Sequence, residues 1–505
     1  MKLKLAEIFS SDMVLQRDAH VSFWGVSDSN LSINLRIKEI SYEIDTLSDN
    51  SGNWKLAIDP HSAGGPYTIQ ITAGEESVDL YNVYFGDVWL AGGQSNMEMS
   101  LADIDAELDF ASNELGAYIH YYETPRLTGI DEVRANSDKW EICRSRKDLK
   151  ISAVAYYAAE MLVRKLNIHI GILECFKGGT YAHCWISEKH LRELPFGKSR
   201  MAHYENLIGN KTDIEFKREQ DEYDLKVNKW HTCEKKLRQL DRNISQEKIE
   251  SICGIYPWPP PIGRMSFQYP AVLYESMLKF ISPYTIRGFW FYQGEQNEEW
   301  PHEYEMELAT LINEWRNIWG DYNEKLPFIL IQLPMFASEN ENSWPILRQA
   351  QENVSVTNKN VELVVQIDLG EKDNIHPRDK LSVGKRLGLI CLEKIYKEDV
   401  IGSSPILISV AKDNDRIILQ FDNVAGGLNF DGKTEEDKES GFEIAGRDEK
   451  FYPAIARLDF DRVFLHSDKV IDPIFVRYAW YNFGLAKLKG GTGLPVAPLN
   501  KTIGD

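Results

Sequence analysis

The stretch GDVWLAGGQSNMEMS, from Gly86 to Ser100, decides the fold. Its first half is an apolar run that predicts a buried strand. Gly92 and Gly93 then allow the backbone to turn sharply without a side-chain clash. Ser95 follows this turn at the predicted start of a helix. A serine at such a position usually caps the helix, so position alone favours a structural role for Ser95 over a chemical one.

The sequence of strand, turn and helix repeats beyond this stretch. Five apolar runs of strand length are separated by helical segments, namely VYFGDVWLAG, IHIGILE, IRGFWFYQGE, PFILIQLP and LVVQIDL. This alternation predicts an α/β fold with a parallel sheet. Ligands of open α/β sheets bind beyond the carboxyl ends of the strands. Polar residues that directly follow these runs are therefore the candidates for a functional site.

A chain of 505 residues is expected to form two or three domains. Residues 1–82 contain short alternating runs between turn residues, which predicts an N-terminal β-sandwich domain. Residues 83–400 contain the α/β pattern, interrupted at about 200–260 by an insertion with an amphipathic helix and a proline-rich loop. Residues 401–505 are rich in strands again and predict a C-terminal β domain.

Charge and composition exclude several classes of protein. The formal net charge is −20, and without a sizeable basic patch a nucleic-acid partner is not expected. The chain has neither a stretch of membrane-span length nor a signal-peptide pattern, which predicts a cytoplasmic protein with no membrane partner. The six cysteines show no CxxC spacing, so we expect buried, reduced thiols and no metal site or other cofactor. A homo-oligomer stays open.

Two polar clusters change the interpretation of Ser95. Asp373 and His376 follow the run LVVQIDL, and their spacing lets the carboxylate orient the imidazole while Nε2 faces a serine. A carboxylate three residues before a histidine is common, so Asp373 is equally compatible with a capping or solvated role. An oxyanion also needs donors. The glycine pair Gly178 and Gly179 follows IHIGILE, and the cluster QGEQN follows GFWFY.

Four short motifs resemble one known family. They are GQSNM at Gly93–Met97, GGT at Gly178–Thr180, FYQGEQN at Phe291–Asn297 and DNIHP at Asp373–Pro377. Together and in this order they resemble the sialate O-acetylesterases, SGNH-type hydrolases that remove acetyl groups from sugars. The resemblance covers most of the chain. It implies a flavodoxin-like, three-layer SGNH core with a parallel sheet, flanked by N- and C-terminal β-sandwich-like domains.

The resemblance also implies the role of each site residue in a two-step acyl transfer without a metal. Ser95 is the nucleophile, His376 the general base and Asp373 its orienting partner. The predicted oxyanion hole comprises the N–H of Ser95, an N–H of the glycine turn (Gly179 preferred over Gly178) and a side-chain amide from Asn297 or Gln293. Substrate contacts are predicted for Gln94, Glu295 and Trp185.

The particular sugar is left open. Lys177 stands where the family often has Trp, and Glu275 where it often has Asn, and both are expected near the acceptor side of the pocket. Sialate and neutral acetylated oligosaccharides are both compatible with the sequence. A non-catalytic carbohydrate-binding protein and a broader short-chain carboxylesterase are the alternatives. With an ordinary pKa of roughly 6–7 for His376, activity would rise with pH through that range.

Overall fold

The structure is a computed structural model. It describes residues 3–104, 114–128, 131–133, 139–144, 149–241, 244–321, 324–433, 437 and 439–504. Within these ranges, no helix has both the length and the apolar character needed to cross a membrane.

The N-terminal region is built from short strands, because its apolar residues alternate with polar ones. The strands are β1 (Lys4–Leu5), β2 (Val14–Gln16), β3 (Val21–Val26), β4 (Ser32–Ile37), β5 (Tyr42–Leu47), β6 (Asn53–Ile58), β7 (Gly64–Ala73) and β8 (Glu76–Gly93). Strands β1, β3 and β6 form a small antiparallel sheet. The first half of β8 pairs with β7 and β2.

The second half of β8 is a central strand of the large sheet, so one strand crosses the predicted domain boundary at residue 82. The remaining strands of this part are β9 (Ile119–Glu123), β10 (Arg126–Thr128), β11 (Asp131–Val133), β12 (Glu141–Ile142), β13 (Ile170–Phe176), β14 (Gly288–Tyr292), β15 (Phe328–Ile331) and β16 (Val361–Val364). The order across the sheet is β12-β9-β13-β8-β14-β15-β16. All these neighbours pair in parallel except β12 with β9.

The predicted α/β pattern is therefore confirmed, but the sheet is mixed where a parallel sheet was predicted. Five of its strands overlap the five apolar runs, although β16 shares only Leu363 and Val364 with LVVQIDL. Strand β9 is a further parallel strand that the sequence did not reveal. The edge strand β12 is antiparallel, and β8 joins the core to the N-terminal strands. Every residue of β13 and β14 is buried, which explains why these strands read as continuous apolar runs.

The helices follow the strands as expected, and a long insertion stands between β13 and β14. The helices are α1 (Ser95–Glu98), α2 (Ala153–Leu166), α3 (Glu188–Glu193), α4 (Pro195–Ile208), α5 (Asp213–Leu240), α6 (Gln246–Cys253), α7 (Lys279–Ile281), α8 (Tyr304–Ile318), α9 (Ser343–Thr357) and α10 (Lys380–Ile390). Helix α2 packs against α10, and α8 packs against α9.

The insertion corrects one expectation from the sequence. Cys233 on α5 and Cys253 at the end of α6 form a disulfide, although all six cysteines were expected to be reduced. The two residues lie 20 positions apart with no diagnostic spacing, and only the antiparallel return of the chain brings their Cα atoms to 5.8 Å. The other four cysteines are free and buried, as predicted.

The C-terminal region is rich in strands, as its alternating pattern predicts. The strands are β17 (Ile406–Asp413), β18 (Arg416–Asp422), β19 (Asn429–Phe430), β20 (Phe442–Ala445), β21 (Tyr452–Pro453), β22 (Ile455–Asp459), β23 (Arg462–His466), β24 (Phe475–Tyr478), β25 (Leu488–Lys489) and β26 (Leu499–Thr502). Two four-stranded antiparallel sheets have the orders β17-β18-β23-β22 and β21-β20-β24-β26. Their apolar side chains share one buried cluster, which extends to Met335, Val365 and Ile367 of the α/β region.

Candidate active site

Ser95 lies where the central strand β8 ends. Gly93 adopts a φ of +132°, and a Cβ atom there would overlap the carbonyl of Tyr292 on β14, so only glycine fits this turn. Gln94 then caps α1 with its backbone, and Ser95 is the first helical residue. Among the described residues, the Ser95 hydroxyl makes no capping hydrogen bond to the helix backbone. The side chain is half-buried and faces another part of the chain.

That other part is the loop between β16 and α10. The Nε2 atom of His376 lies 2.7 Å from the Oγ atom of Ser95. Asn374 holds the histidine backbone on both sides, because its Oδ1 accepts from the His376 N–H at 3.0 Å and its Nδ2 donates to the His376 carbonyl at 2.9 Å. Glu371 accepts from Asn374 and from the N–H of Arg378. The loop therefore presents the imidazole to Ser95 in one orientation.

The structure does not bring Asp373 to His376. Asp373 is exposed, and among the described residues no hydrogen bond joins its carboxylate to the imidazole or to any other group. The physical reason is the loop conformation, since Asn374 occupies the turn around the His376 backbone and Asp373 points to solvent. The structure supports a pair, Ser95 with His376, rather than the predicted triad.

The environment of His376 favours the neutral imidazole. Burial and the ammonium of Lys380 lower the pKa of His376 to about 4, against the weaker opposing effect of the carboxylates of Glu234 and Glu98. A neutral Nε2 accepts a proton from a serine hydroxyl, whereas an imidazolium does not. His376 is therefore in its basic form at neutral pH.

A buried chain of polar groups lies directly under the serine. Asn96 accepts from the Lys380 ammonium at 2.5 Å and donates to Glu295 Oε1 at 2.5 Å. It also donates to the carbonyl of Ile375, next to His376, at 3.0 Å. Burial lowers the pKa of Lys380 to about 7 and raises the pKa of Glu295. Asn96 thus ties the serine turn to the histidine loop.

The glycine turn after β13 also lies against Ser95. A Cβ atom built on Gly178 would be 3.2 Å from the Cβ of Ser95. The Gly178 N–H donates to Glu98 Oε2 at 2.5 Å, and the Gly179 carbonyl accepts from Gln268 at 2.8 Å. Gly179 has a φ of +71°. Among the described residues, no acceptor faces the N–H groups of Ser95 or Gly179, so both are available to a developing oxyanion.

The two candidate amides of the QGEQN motif are engaged in a buried network. The Nε2 of Gln293 has three acceptors for two hydrogens, the nearest being Asn297 Oδ1 at 2.7 Å and the Thr180 carbonyl at 3.1 Å. The Nδ2 of Asn297 donates once, to Glu307 at 3.1 Å. Among the described residues, one N–H of the Asn297 amide therefore has no acceptor, whereas both N–H groups of Gln293 are engaged.

The predicted substrate-contacting residues differ in placement. The Oε1 of Gln94 accepts from the N–H of Gly294, and among the described residues its Nε2 has no acceptor. Glu295 is buried under the serine and bonded to Asn96, so its carboxylate does not reach the surface. Trp185 is 0% exposed and donates to Thr180, which makes it a core residue rather than a platform for a ligand.

Lys177 and Glu275, at which the chain departs from the family pattern, lie in different surroundings. Lys177 directly precedes the glycine turn, and its Nζ lies 4.8 Å from the ring centroid of Phe267. Glu275 is half exposed and pairs with Lys279 at 2.7 Å. Lys177 therefore lies beside the site, whereas the Glu275 carboxylate is held in an ion pair on its own helical turn.

Comparisons with known proteins show similarity to carbohydrate esterases. The sequence model of a family described as carbohydrate esterase, sialic acid-specific acetylesterase matches residues 259–393. The sialate O-acetylesterase of Mus musculus is 25% identical to the chain, over 94% of this chain and 89% of that protein. The human sialate O-acetylesterase is 23% identical, over 78% of this chain and 71% of that protein.

A solved structure extends the likeness to the whole fold. The crystal structure of a carbohydrate acetylesterase from Xanthomonas citri superposes with a TM-score of 0.76 and 26% identity, and it covers 99% of both chains. Over most of its length the chain is similar to sialate O-acetylesterases. These similarities support a carboxylic ester hydrolase.

Sequence reasoning missed four residues of the candidate site. Asn96, Glu98, Asn374 and Lys380 hold the serine, the glycine turn and the histidine loop in place. All four lie within four positions of a predicted site residue, so proximity to a motif was the available signal. Their partners lie on other segments, and no spacing in the sequence indicates those contacts.

Proposed function

We propose that the chain is a serine esterase that removes O-acetyl groups from carbohydrates. The single observation that carries this proposal is the 2.7 Å contact between Ser95 Oγ and Nε2 of a half-buried His376, whose pKa is lowered to about 4. A serine hydroxyl becomes a useful nucleophile when a neutral base accepts its proton, and this geometry supplies that base. The acetyl and carbohydrate specificities are inferred from the names of the related enzymes.

The mechanism is a two-step acyl transfer. His376 takes the Ser95 proton as the oxygen attacks the acetyl carbonyl. The carbonyl oxygen becomes an oxyanion, which we assign to the N–H groups of Ser95 and Gly179 and to the spare N–H of Asn297. The imidazolium then donates its proton to the leaving sugar oxygen. Water, deprotonated by His376, hydrolyses the acetyl-serine in the second step and releases acetate.

The carboxylates of the site act through charge in this proposal. Glu98 and Glu234 favour the transient imidazolium, and Lys380 opposes it. Gln94 is proposed to contact the substrate through its Nε2 group. The orienting role of Asp373 requires its side chain to turn from solvent towards His376, and a variant of this residue tests that role below.

The decisive experiment compares the wild type with Ser95→Ala. We expect p-nitrophenyl acetate hydrolysis to fall by about 10³-fold or more, because in the described part of the chain no other hydroxyl is hydrogen-bonded to His376 Nε2. Ser251→Ala, an exposed serine on α6, is the matched control and should keep full activity. Equal rates for the wild type and Ser95→Ala would contradict the serine mechanism.

A panel of substrates then tests the specificity. Acetate release from O-acetylated sialic acids, xylo-oligosaccharides and manno-oligosaccharides identifies the sugar. Rates on acetate, butyrate and octanoate esters measure the acyl preference, and a preference for octanoate would contradict an acetylesterase. Binding of these sugars without any ester hydrolysis would instead favour the non-catalytic alternative.

A further inference from the structure

The helical insertion is internally cross-linked close to its end. The disulfide between Cys233 and Cys253 joins α5 to α6. The indole N–H of Trp230 donates to the carbonyl of Gly254 at 2.8 Å, and the hydroxyls of Tyr223 and Tyr256 are hydrogen-bonded. These contacts tie α5 to the segment that follows α6. That segment is therefore held in position although it has no regular secondary structure.

The same segment places Trp258 against the proposed oxyanion turn. A Cβ atom built on Gly179 would lie 2.5 Å from Cη2 and 3.0 Å from Cζ3 of the Trp258 indole, and 3.7 Å from the ring of Phe267. The edge of the indole thus touches the turn that presents the Gly179 N–H. An aromatic residue of the insertion borders the atoms that would react.

Nearly half of the Trp258 side chain is exposed. It is 45% exposed, which makes it the most exposed of the 13 tryptophans, all of which lie in described parts of the chain. Among the described residues no acceptor faces its indole N–H. A large apolar side chain that is left exposed beside a reactive group commonly marks a ligand-binding surface. Trp185, in contrast, is fully buried.

We infer that Trp258 is the platform on which the pyranose ring of the acetylated sugar stacks. The C–H groups on one face of a pyranose carry partial positive charge and pack on the negative face of an aromatic ring, as other C–H edges do. The free indole N–H is a donor for a ring hydroxyl. This inference rests on the proposed function, because the sugar is the leaving group of the Ser95 reaction.

The test separates binding of the sugar from ester chemistry. Acetylated xylobiose and O-acetylated sialic acid are titrated by calorimetry into Ser95→Ala, which does not consume them, and into Ser95→Ala/Trp258→Ala. We expect the second protein to bind at least one of the sugars with a Kd raised roughly three- to tenfold. The cationic Lys177 lies beside Phe267. The Kd values of the acidic and the neutral sugar are therefore compared, because this charge would favour the acidic one. An unchanged Kd for both sugars would overturn the inference.

Kinetics on the active enzyme provide a second readout. Trp258→Ala should raise KM for the acetylated sugar by a larger factor than KM for ethyl acetate, because the small aliphatic leaving group of ethyl acetate has no ring to stack on the indole. Trp258→Phe should retain most of the sugar affinity. Ile255→Ala is the matched control, because Ile255 is 84% exposed three residues earlier on the same segment. An equal loss on both esters would overturn the platform role.

Two further outcomes distinguish this inference from the proposed function. A wild type that hydrolyses p-nitrophenyl acetate but no sugar ester contradicts the proposed function, while a Trp258-dependent Kd for the sugar still supports the platform. If Trp258→Ala does not fold, the double variant Cys233→Ser/Cys253→Ser releases the segment instead. It should raise KM for the sugar ester alone, and an unchanged KM would count against the inference.

Discussion

The Nε2 atom of His376 lies 2.7 Å from the Oγ atom of Ser95, although 281 residues separate them along the chain. Ser95 follows β8, and His376 lies in the loop after β16, with β14 and β15 between the two strands. The side-chain amide of Asn96, next to Ser95, connects the two segments by donating to the backbone carbonyl of Ile375, next to His376. The pair owes its geometry to the sheet and to that bridge.

The pH dependence of activity should reflect the buried position of His376. The imidazole must be neutral, so kcat/KM rises with pH through its pKa of about 4 and is level from about pH 6 to 8. Below that pKa the rate should fall about tenfold per pH unit. The profile is measured on p-nitrophenyl acetate, with circular dichroism at each pH to verify folding. A midpoint between 6 and 7 would indicate a solvent-exposed histidine instead.

Replacing Lys380 should move that profile. The buried ammonium disfavours the imidazolium, so Lys380→Met should raise the midpoint of the activity profile by about one unit. Lys385→Met, an exposed lysine on the same helix α10, should leave it unchanged. A Lys380→Met profile that keeps its midpoint and only loses amplitude would reduce Lys380 to a structural role.

Asp373→Asn should keep activity within about tenfold of the wild type, since the carboxylate is exposed and not bonded to His376. His376→Asn should lose about 10³-fold or more. Both are measured as kcat/KM on p-nitrophenyl acetate. A loss of kcat/KM near 10⁴-fold for Asp373→Asn would instead support a triad of Ser95, His376 and Asp373, as the spacing in the sequence suggests.

Gly179→Ala should lower kcat by about 10²-fold, because a displaced N–H no longer faces the oxyanion. The backbone φ of +71° and the close Trp258 ring both oppose a side chain at this position. Gly320→Ala is the matched control, since Gly320 has a φ of +74° with no atom within 4 Å of the added Cβ. Comparable losses of kcat in the two variants would mean that backbone strain alone, not the lost donor, is responsible.

Stability should decrease in acid through a buried histidine pair. His120 Nε2 lies 2.8 Å from His169 Nδ1, and burial lowers the pKa of His120 to about 3 and of His169 to about 4. The unfolded chain binds these protons at about pH 6.5, so the free energy of unfolding falls as pH drops from about 6.5 towards 4. His169→Gln should weaken this dependence in urea unfolding at pH 7.5 and 5. His20→Gln, at an exposed site, should not.

The sequence by itself determined the α/β core and the place of the proposed nucleophile in it. Strands such as β13 and β14 are buried along their whole length, so their apolar runs can be recognised in the sequence alone. The turn before Ser95 requires glycine at position 93, and the sequence shows this glycine directly. His376 was predictable for the same reason, because it follows a strand of the same sheet.

Only the tertiary structure decided what surrounds these residues. It turns Asp373 to solvent, buries Trp185, occupies the amide of Gln293 and links Cys233 to Cys253. Each of these outcomes depends on rotamers and on packing between segments that lie far apart in the chain. Likewise the pKa of His376 depends on burial and on the charges of Lys380, Glu98 and Glu234, and neither is encoded in local spacing.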